Sequence, residues 1–280
     1  MVYLLYNPTS DNNQGMKARD KFISEYEKTY HNIKTFDFTK LDFKEFAANT
    51  TDDDTTVLTG GDGTMHFYCN LSKQYPLRGK VFFYGGGTGN DFLNDLNKPE
   101  GLVELHKYSN HLPKVKIKHK EMYFVNNVGY GLDGTVCEIA DKRKSQGKKI
   151  NYTTIAAKLL LYKYRRTSAT VTVDGVEHKF KKVWLAATMN GRFYGGGMMI
   201  APDQNRLNDK ITLVVLHGSS RLKTILAFKT IFAGEHIKKH PDICTVFTGK
   251  HIKVEFNRPN AIQVDGETTL NITEYEAIKE

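Results

Sequence analysis

Two glycine-rich segments, each directly after a short apolar run, constrain the fold of this chain more than any other feature. Residues 55–59 have the pattern of a buried strand and run into Gly60-Gly61-Asp62-Gly63-Thr64, after which residues 65–75 have a helical pattern. Residues 81–84 form a second such strand, followed at once by the glycine-rich residues 85–91. Strands that end in glycine turns and alternate with helices predict a doubly wound α/β sheet. Ligands of such sheets bind at the carboxyl ends of the strands, where both segments fall.

The second half of the chain predicts a different architecture. Asp174-Gly175 predicts a tight hairpin turn, and Arg258-Pro259-Asn260 predicts another turn. Helical patterns cover residues 151–166 and 220–233. Strands are predicted by apolar or alternating runs at residues 122–128, 169–173, 176–180, 183–189, 211–216, 252–256 and 261–264. These runs predict an antiparallel β-sandwich.

The predicted organisation is therefore an α/β domain followed by an all-β domain. We expect a nucleotide-binding α/β domain over residues 1–115 and a β-sandwich domain for the substrate over residues 116–271. Residues 272–280 are expected to be able to pack back on the first domain. A cleft between two such domains is the natural place for an active site.

Composition excludes several classes of protein. The 280 residues contain three scattered cysteines, which predicts a reducing compartment rather than a disulfide framework. No apolar run approaches the roughly 18 residues of a membrane span, and the first residues lack the pattern of a signal peptide. These features predict a soluble, cytoplasmic protein. The net charge of +9 attracts phosphates of any source, so nucleotides, nucleic acids and anionic membranes all stay open.

A strand that feeds a glycine turn and then a helix is a site for phosphate. Glycine lets the backbone approach the anion, and the N–H groups at the helix N-terminus point toward it. Each of the two segments also carries an acid, Asp62 and Asp91. A carboxylate beside phosphates would repel them unless it binds a metal ion or hydrogen-bonds to backbone or ribose. The pair therefore predicts a nucleotide with Mg²⁺, although for either turn alone a tight connection is the simpler interpretation.

In this context residues 60–64 resemble the signature of the diacylglycerol kinase catalytic domain, a family grouped with sphingosine kinases, NAD kinases and phosphofructokinases. Further motifs are similar in order along essentially the whole chain. They are Asn7-Pro8-Thr9, residues 87–92, residues 124–126 with Gly129 and Gly131, residues 195–198, Ala201-Pro202, Asn208-Asp209 and residues 264–267. The resemblance implies an ATP- and Mg²⁺-dependent kinase that phosphorylates a lipid hydroxyl, with diacylglycerol as the expected acceptor.

The resemblance also implies roles for particular residues. Asp62 and Glu267 would be catalytic, with Glu267 as the general base for the lipid hydroxyl. Asp62 and Asp91 would hold the catalytic Mg²⁺ or its waters. A structural Mg²⁺ would be bound by the side chain of Asp209 and the carbonyls of Arg206 and Ile211. The nucleotide contacts would be Asn7, Pro8, Thr9, Ser10, Asp11, Thr39, Gly60, Gly61, Asp62, Gly63, Thr64, Thr88, Asn90 and Asp91.

Two departures from the family pattern keep alternatives open. Lys210 follows Asp209 where the family has glycine, and Lys116 stands near the position of a family aspartate. They leave room for a non-catalytic nucleotide- or lipid-binding protein of the same fold. A NAD kinase-like enzyme is a further alternative, disfavoured by residues 89–92 and 265–267. No recognition motif supports nucleic-acid binding, and the sequence leaves the oligomeric state open, a homodimer included.

The expected partner is a lipid substrate at a membrane surface. A basic run at residues 142–149 precedes an amphipathic stretch at residues 152–166. This combination predicts peripheral association with the anionic inner face of a membrane. A solvated loop followed by a packed helix is the simpler alternative for the same residues.

Overall fold

The computed structural model describes residues 1–10, 14–86, 90–98, 101–148 and 150–280. The chain divides into two compact units, Met1–Asn110 and His111–Glu280. The boundary predicted from sequence, after residue 115, falls a few residues inside the second unit. Within the described ranges, no helix is long and apolar enough to cross a membrane.

The first unit is built on a five-stranded sheet in the order β2-β1-β3-β4-β5, with the first four strands parallel and β5 antiparallel to β4. Its strands are β1 (Val2–Tyr6), β2 (Ile33–Asp37), β3 (Thr55–Gly60), β4 (Lys80–Gly85) and β5 (Leu102–Glu104). Its helices are α1 (Gly15–Tyr26), α2 (Phe43–Ala48), α3 (Asp62–Gln74), α4 (Asp91–Asp95) and α5 (His106–Ser109). The predicted α/β fold is confirmed.

The strand order determines where a ligand can bind in the first unit. The chain runs from β1 to one neighbour, β2, and then returns to the other side for β3. In open α/β sheets ligands bind at such a switch point, beyond the carboxyl ends of the strands. The central strands are apolar on both faces, as buried parallel strands are, with Leu4, Leu5, Val57 and Leu58 fully buried.

The second unit is built on a ten-stranded antiparallel sheet. The main path is β15-β14-β11-β8-β16-β17-β6-β7, and β9 pairs with both β10 and β16. Its strands are β6 (Lys114–Ile117), β7 (Lys120–Tyr123), β8 (Asn127–Gly131), β9 (Thr167–Val173), β10 (Val176–Val183), β11 (Leu185–Met189), β12 (Phe193–Tyr194), β13 (Met198–Met199), β14 (Ile211–Leu216), β15 (Cys244–Gly249), β16 (His251–Val264) and β17 (Glu267–Ile278), of which β12 and β13 pair separately. Its helices are α6 (Leu132–Ser145), α7 (Tyr152–Lys158), a π-helical turn (Leu159–Lys163), α8 (Arg221–Ile231) and α9 (His236–Lys239).

Most predicted strands of this unit are present, and Asp174-Gly175 forms the predicted hairpin with φ of 46° and 87°. The turn predicted at residues 258–260 is wrong. β16 continues through it, with a register shift between Glu255 and Asn260, and a bulge is where a strand accommodates proline. Residues 272–278 pair with β16 and β6. The last strand thus belongs to the sheet of the second unit and not to the first domain.

His236, at the start of α9, gives the second unit a testable pH dependence. Its ring is fully buried, Nε2 lies 3.0 Å from the carbonyl oxygen of Ile200, and burial lowers the pKa of His236 to about 4. The unfolded chain binds this proton near the ordinary value of about 6.5, so stability falls as the pH drops from there toward 4. We expect about 2 kcal/mol of stability to be lost through His236 between about pH 7 and pH 5.

Chemical denaturation at both pH values, for the wild type and for His236→Gln, measures this contribution. The comparison is needed because Asp133 acts in the opposite sense: burial raises its pKa to about 7, so its protonation stabilises the folded state as the pH falls. The variant keeps Asp133 and loses only the histidine effect. Equal losses of stability in the two proteins would contradict the prediction.

Candidate active site

The glycine turn after β3 exposes the first turn of α3. Gly61 is the N-cap of this helix, with Asp62 in its first turn. A Cβ added at Gly60 would lie 2.4 Å from Oγ1 of Thr64, so only glycine allows the strand and helix to pack this closely. A Cβ added at Gly63 would meet no atom within 4 Å. The backbone at Gly63 is therefore open to a ligand, and it lies at the positive end of a helix of 13 residues.

The loop after β1 lies against this turn. Asn7 Nδ2 donates to Oγ1 of Thr64 at 3.2 Å, which joins the carboxyl ends of β1 and β3. Asn7 Oδ1 accepts from the backbone N–H and the hydroxyl of Thr9, and the hydroxyl of Ser10 donates to the carbonyl oxygen of Asn7. Pro8 lies within the same turn. The structure thus brings together most of the predicted nucleotide residues of this loop.

Asp62 connects the two glycine segments. Its carboxylate oxygens accept the backbone N–H of Asp91 at 2.8 Å and of Phe92 at 3.0 Å, at the first turn of α4. The sequence predicts Asp62 as a metal ligand, and these contacts show a second role, since the carboxylate holds the N-terminus of α4 beside the glycine turn. Asn90 is the N-cap of α4, and Asp91 is buried. Gly86 also donates its N–H to the carbonyl of Gly60 at 2.8 Å.

The remaining predicted nucleotide residues are less informative. Thr39 follows β2, and both its N–H and its hydroxyl donate to Asp37, which holds the pKa of Asp37 below its usual range. Among the described residues, Thr39 forms no hydrogen bond with either glycine segment. Asp11 and Thr88, both predicted to contact the nucleotide, lie outside the described residues.

This set of groups fits a nucleotide with its metal ion. An open helix N-terminus suits phosphate oxygens, because its first backbone N–H groups point toward such an anion. Among the described residues, no group of three or more His, Cys, Asp or Glu side chains could hold a metal ion. An Mg²⁺ ion that arrives with ATP needs only one or two carboxylates besides the phosphates, and Asp62 and Asp91 are the carboxylates at hand.

In the second unit, Glu267 is the first residue of β17 and is exposed. It follows a tight turn in which Asp265 and Gly266 have φ of 47° and 94°. Asp265 is anchored by three backbone N–H groups, from Val125 at 2.6 Å, Asn126 at 2.8 Å and Asn127 at 2.9 Å. The turn that carries Glu267 is therefore fixed to the segment between β7 and β8. This anchoring also explains why the single strand predicted at residues 122–128 is broken there.

Helix α6 lies near Glu267. Burial raises the pKa of Cys137 to about 12, and the charges of Asp133, Asp141 and Glu267 add to the effect. Asp133 itself is buried and accepts a hydrogen bond from Tyr194 Oη at 2.9 Å. The sequence patterns predicted neither helix α6 nor the buried position of Asp133. The apolar spacing of Leu132, Val136 and Ala140, four residues apart on one helix face, is the signal that indicates the helix.

The residues predicted to hold a structural Mg²⁺ do not fit that ion. The carbonyl oxygen of Arg206 accepts a hydrogen bond from Lys279 Nζ at 2.7 Å. The carboxylate of Asp209, a largely exposed side chain, pairs with Lys250 Nζ at 2.8 Å, which lowers the pKa of Asp209. Ile211 lies in β14 opposite Gly249 of β15. Two of the three groups thus already face an ammonium group, which would repel a divalent cation.

Comparison with known proteins agrees with the resemblance read from the motifs. Residues 1–122 match the family model described as the diacylglycerol kinase catalytic domain, and residues 126–276 match the YegS C-terminal NAD kinase beta sandwich-like domain. The chain belongs to the family with the YegS C-terminal NAD kinase beta sandwich-like domain, whose model covers more than half of it, and its first part matches the diacylglycerol kinase catalytic domain.

Individual relatives are distant. YtlR of Bacillus subtilis, described by name as a candidate lipid kinase, is 27% identical over 202 residues, covering 65% of this chain and 64% of that protein. A diacylglycerol kinase of Mycobacterium tuberculosis is 26% identical over 196 residues. The match covers 66% of this chain and 62% of the Mycobacterium protein. The chain therefore spans less than two thirds of the length of these relatives. A diacylglycerol kinase of Staphylococcus aureus is 23% identical over 276 residues and is covered over 83% of its length.

Solved structures share the fold. A crystal structure titled as a diacylglycerol kinase from Bacillus anthracis has a TM-score of 0.68 and 21% identity, covering 99% of this chain and 93% of that one. At this level of identity the likeness establishes the fold alone. It agrees with an α/β unit followed by an antiparallel β unit.

Proposed function

We propose that this protein is an ATP- and Mg²⁺-dependent lipid kinase that phosphorylates the hydroxyl of diacylglycerol to give phosphatidic acid. The observation that carries the proposal is the pair of hydrogen bonds from Asp91 and Phe92 to Asp62. These bonds hold two glycine segments together at the switch point of an α/β sheet, in a chain whose first part matches the diacylglycerol kinase catalytic domain.

The nucleotide binds at the first unit in this proposal. The open backbone at Gly63 and the N-terminus of α3 take the phosphate oxygens, and Asn7 keeps the loop after β1 against Thr64. A bound Mg²⁺ would supply positive charge to neutralise the charge that develops on the transferred phosphoryl group. Asp62 and Asp91 would hold it, and Asp62 also keeps the two segments in register.

The acceptor is activated at the second unit. An alcohol is a poor nucleophile until a base removes its proton. Glu267 is an exposed carboxylate on an anchored turn, so it is accessible to an acceptor and its backbone is held in place. The proton moves from the lipid hydroxyl to the Glu267 carboxylate as the alcohol oxygen attacks the terminal phosphorus of ATP, and ADP leaves.

Transfer of labelled γ-phosphate from ATP to a panel of lipids in mixed micelles, with and without Mg²⁺, tests the proposal. We expect labelled phosphatidic acid from diacylglycerol, and no label without Mg²⁺. Label on another lipid alcohol would keep the kinase and change its acceptor. Binding of ATP by calorimetry with no transfer to any lipid would favour the non-catalytic alternative. Lys116, which the strand register places opposite Glu276 and Glu121, motivates that alternative.

Peripheral association with the cytoplasmic face of a membrane is part of the proposal. The exposed apolar side chains of Leu161, Tyr162, Leu222 and Leu226 lie on the π-helical turn and on α8. The two elements are adjacent, since the guanidinium of Arg221 donates to the carbonyls of Leu159, Leu160 and Tyr164. Exposed cations lie on the preceding stretch of chain and on either side of the π-helical turn, namely Lys142, Lys144, Lys148, Lys158 and Arg165. Exposed apolar side chains together with a basic stretch suit an anionic bilayer.

We expect binding to phospholipid vesicles to rise with the fraction of anionic lipid and to fall with salt. Replacing Tyr162 and Leu222 together by Ser should weaken binding, because their apolar surface no longer enters the bilayer. Val176→Ser is the matched control, because Val176 is an exposed apolar residue on the hairpin of β9 and β10. Vesicle sedimentation measures all three proteins. If vesicle binding changed neither with the fraction of anionic lipid nor with the salt concentration, the proposed membrane-binding surface would be refuted.

A further inference from the structure

Lys279 is a buried cation that the proposed reaction does not use. Its side chain is 1% exposed, just beyond the end of β17. Nζ donates to Oδ1 of Asn190 and to the carbonyl oxygen of Arg206, both at 2.7 Å. A buried ammonium group is costly unless oxygen atoms compensate for the lost water. Here two oxygen atoms surround it, and one of them is a group that the family resemblance gives to a metal ion.

Three lysines contact or belong to the loop of residues 206–211, to which the resemblance assigns the structural Mg²⁺. Lys279 takes the carbonyl of Arg206, Lys250 takes the carboxylate of Asp209, and Lys210 stands where the family has glycine. The three lysines come from separate parts of the sequence. Of the three, Lys279 alone is buried, so its charge is the one that the solvent screens least.

The partners of Lys279 lead by hydrogen bonds to the turn that carries Glu267. Asn190 Nδ2 donates to the carbonyl oxygen of Val125 at 2.9 Å. The guanidinium of Arg206 donates to the same carbonyl at 3.2 Å and to Oδ1 of Asn126 at 3.1 Å. The N–H groups of these two loop residues in turn bind Asp265. One network thus joins Lys279, the loop of residues 125–127 and the Asp265 turn.

We propose that Lys279 replaces the structural Mg²⁺ of this loop and acts as a positioning residue for Glu267 through Asn190, Arg206 and the loop of residues 125–127. The catalytic part of this assignment rests on the proposed role of Glu267. The structural part does not, because it concerns only whether an ammonium group or Mg²⁺ binds the carbonyl oxygen of Arg206. Lys279→Met removes the charge and keeps much of the side-chain volume. Lys250→Met is the matched control, since it removes an exposed lysine at the same loop.

Thermal unfolding tests the structural part without any need for activity. We expect the melting temperature of the wild type to be unchanged by EDTA or by added Mg²⁺. Lys279→Met should melt lower, and added Mg²⁺ or Ca²⁺ should raise its melting temperature, because the carbonyl of Arg206 is no longer bound to an ammonium group. Lys250→Met should melt close to the wild type. A wild type that melts lower in EDTA would overturn the proposal even if Lys279→Met failed to fold.

Hydrogen exchange and kinetics test the positioning part. In Lys279→Met the amides of residues 125–127 should exchange faster than in the wild type, a readout that needs no substrate. In the lipid kinase assay, kcat should fall roughly tenfold to hundredfold with KM for ATP unchanged, as expected when a reacting group is displaced slightly. Unchanged exchange at these amides, or a wild-type kcat, would refute the positioning role. A wild type without any kinase activity would refute the proposed function and leave the exchange result to decide on Lys279.

Discussion

Glu267→Gln should lower the rate of lipid phosphorylation by about 10²- to 10⁴-fold, the usual contribution of a general base. The substitution keeps the size of the side chain and its capacity for hydrogen bonds, and it removes only the carboxylate that we propose as the proton acceptor. Because Glu267 is exposed at the start of β17, we expect no change in melting temperature. The loss should appear in kcat, with KM for ATP unaffected, in the labelled-phosphate assay.

Glu274→Gln is the matched control for this experiment. Glu274 is an exposed glutamate on the same strand and pairs with Lys253 at 3.2 Å. An exposed ion pair of this kind contributes little to stability, so this variant should keep the wild-type rate and melting temperature. If both variants keep the wild-type rate, another group removes the proton from the lipid hydroxyl.

Asp62→Asn should lower activity by about 10²-fold or more, because it disturbs both the proposed cation ligand and the position of the second glycine segment. The carboxylate accepts two backbone N–H groups, whereas an asparagine has one oxygen and would turn its NH₂ group toward the other N–H. Loss of one charge-assisted hydrogen bond costs about 2 kcal/mol. Asp62→Asn should therefore also melt at a lower temperature and bind Mg²⁺-ATP more weakly.

Calorimetry of ATP binding, thermal unfolding and the kinase assay together separate these effects. Asp53→Asn is the control, since Asp53 is an exposed acid in the turn before β3. It should match the wild type in all three measurements. An Asp62→Asn protein with normal ATP affinity and normal turnover would contradict the role of Asp62 as the link between the two segments.

Local patterns in the sequence are enough to predict the α/β unit. Three of its parallel strands, β1, β3 and β4, are short apolar runs that end in glycine or polar turns, so both their positions and their shared edge follow from the residues alone. The β unit is harder because its pairings join distant segments. β17 pairs with β6 more than a hundred residues away, and most of its 12 residues are polar or charged. Pro259 reads as a turn until the partner strands show a bulge in a continuous strand.

The candidate site shows the same limit. Motif order predicts that residues 60–64 and Glu267 matter, because the motifs in that order resemble those of the family; the role of Glu267 follows from that resemblance and not from its spacing. It does not predict that Asp62 holds the N-terminus of α4, or that three N–H groups hold Asp265. Those roles depend on which backbone groups the fold brings near a carboxylate. The burial of Lys279 is harder still to predict, since a lysine near the end of a polar strand is expected to be exposed to solvent.

The pairing of β17 with β6 also determines the order in which the chain can acquire structure during synthesis. All five strands of the first unit lie before residue 105, so that sheet can form while later residues are still on the ribosome. The sheet of the second unit cannot be completed until residues 267–278 have emerged, because β17 is the strand that covers one edge of β6, whose other edge pairs with β7. Until that moment β6 has an unpaired edge, the kind of surface that chaperones protect in nascent chains.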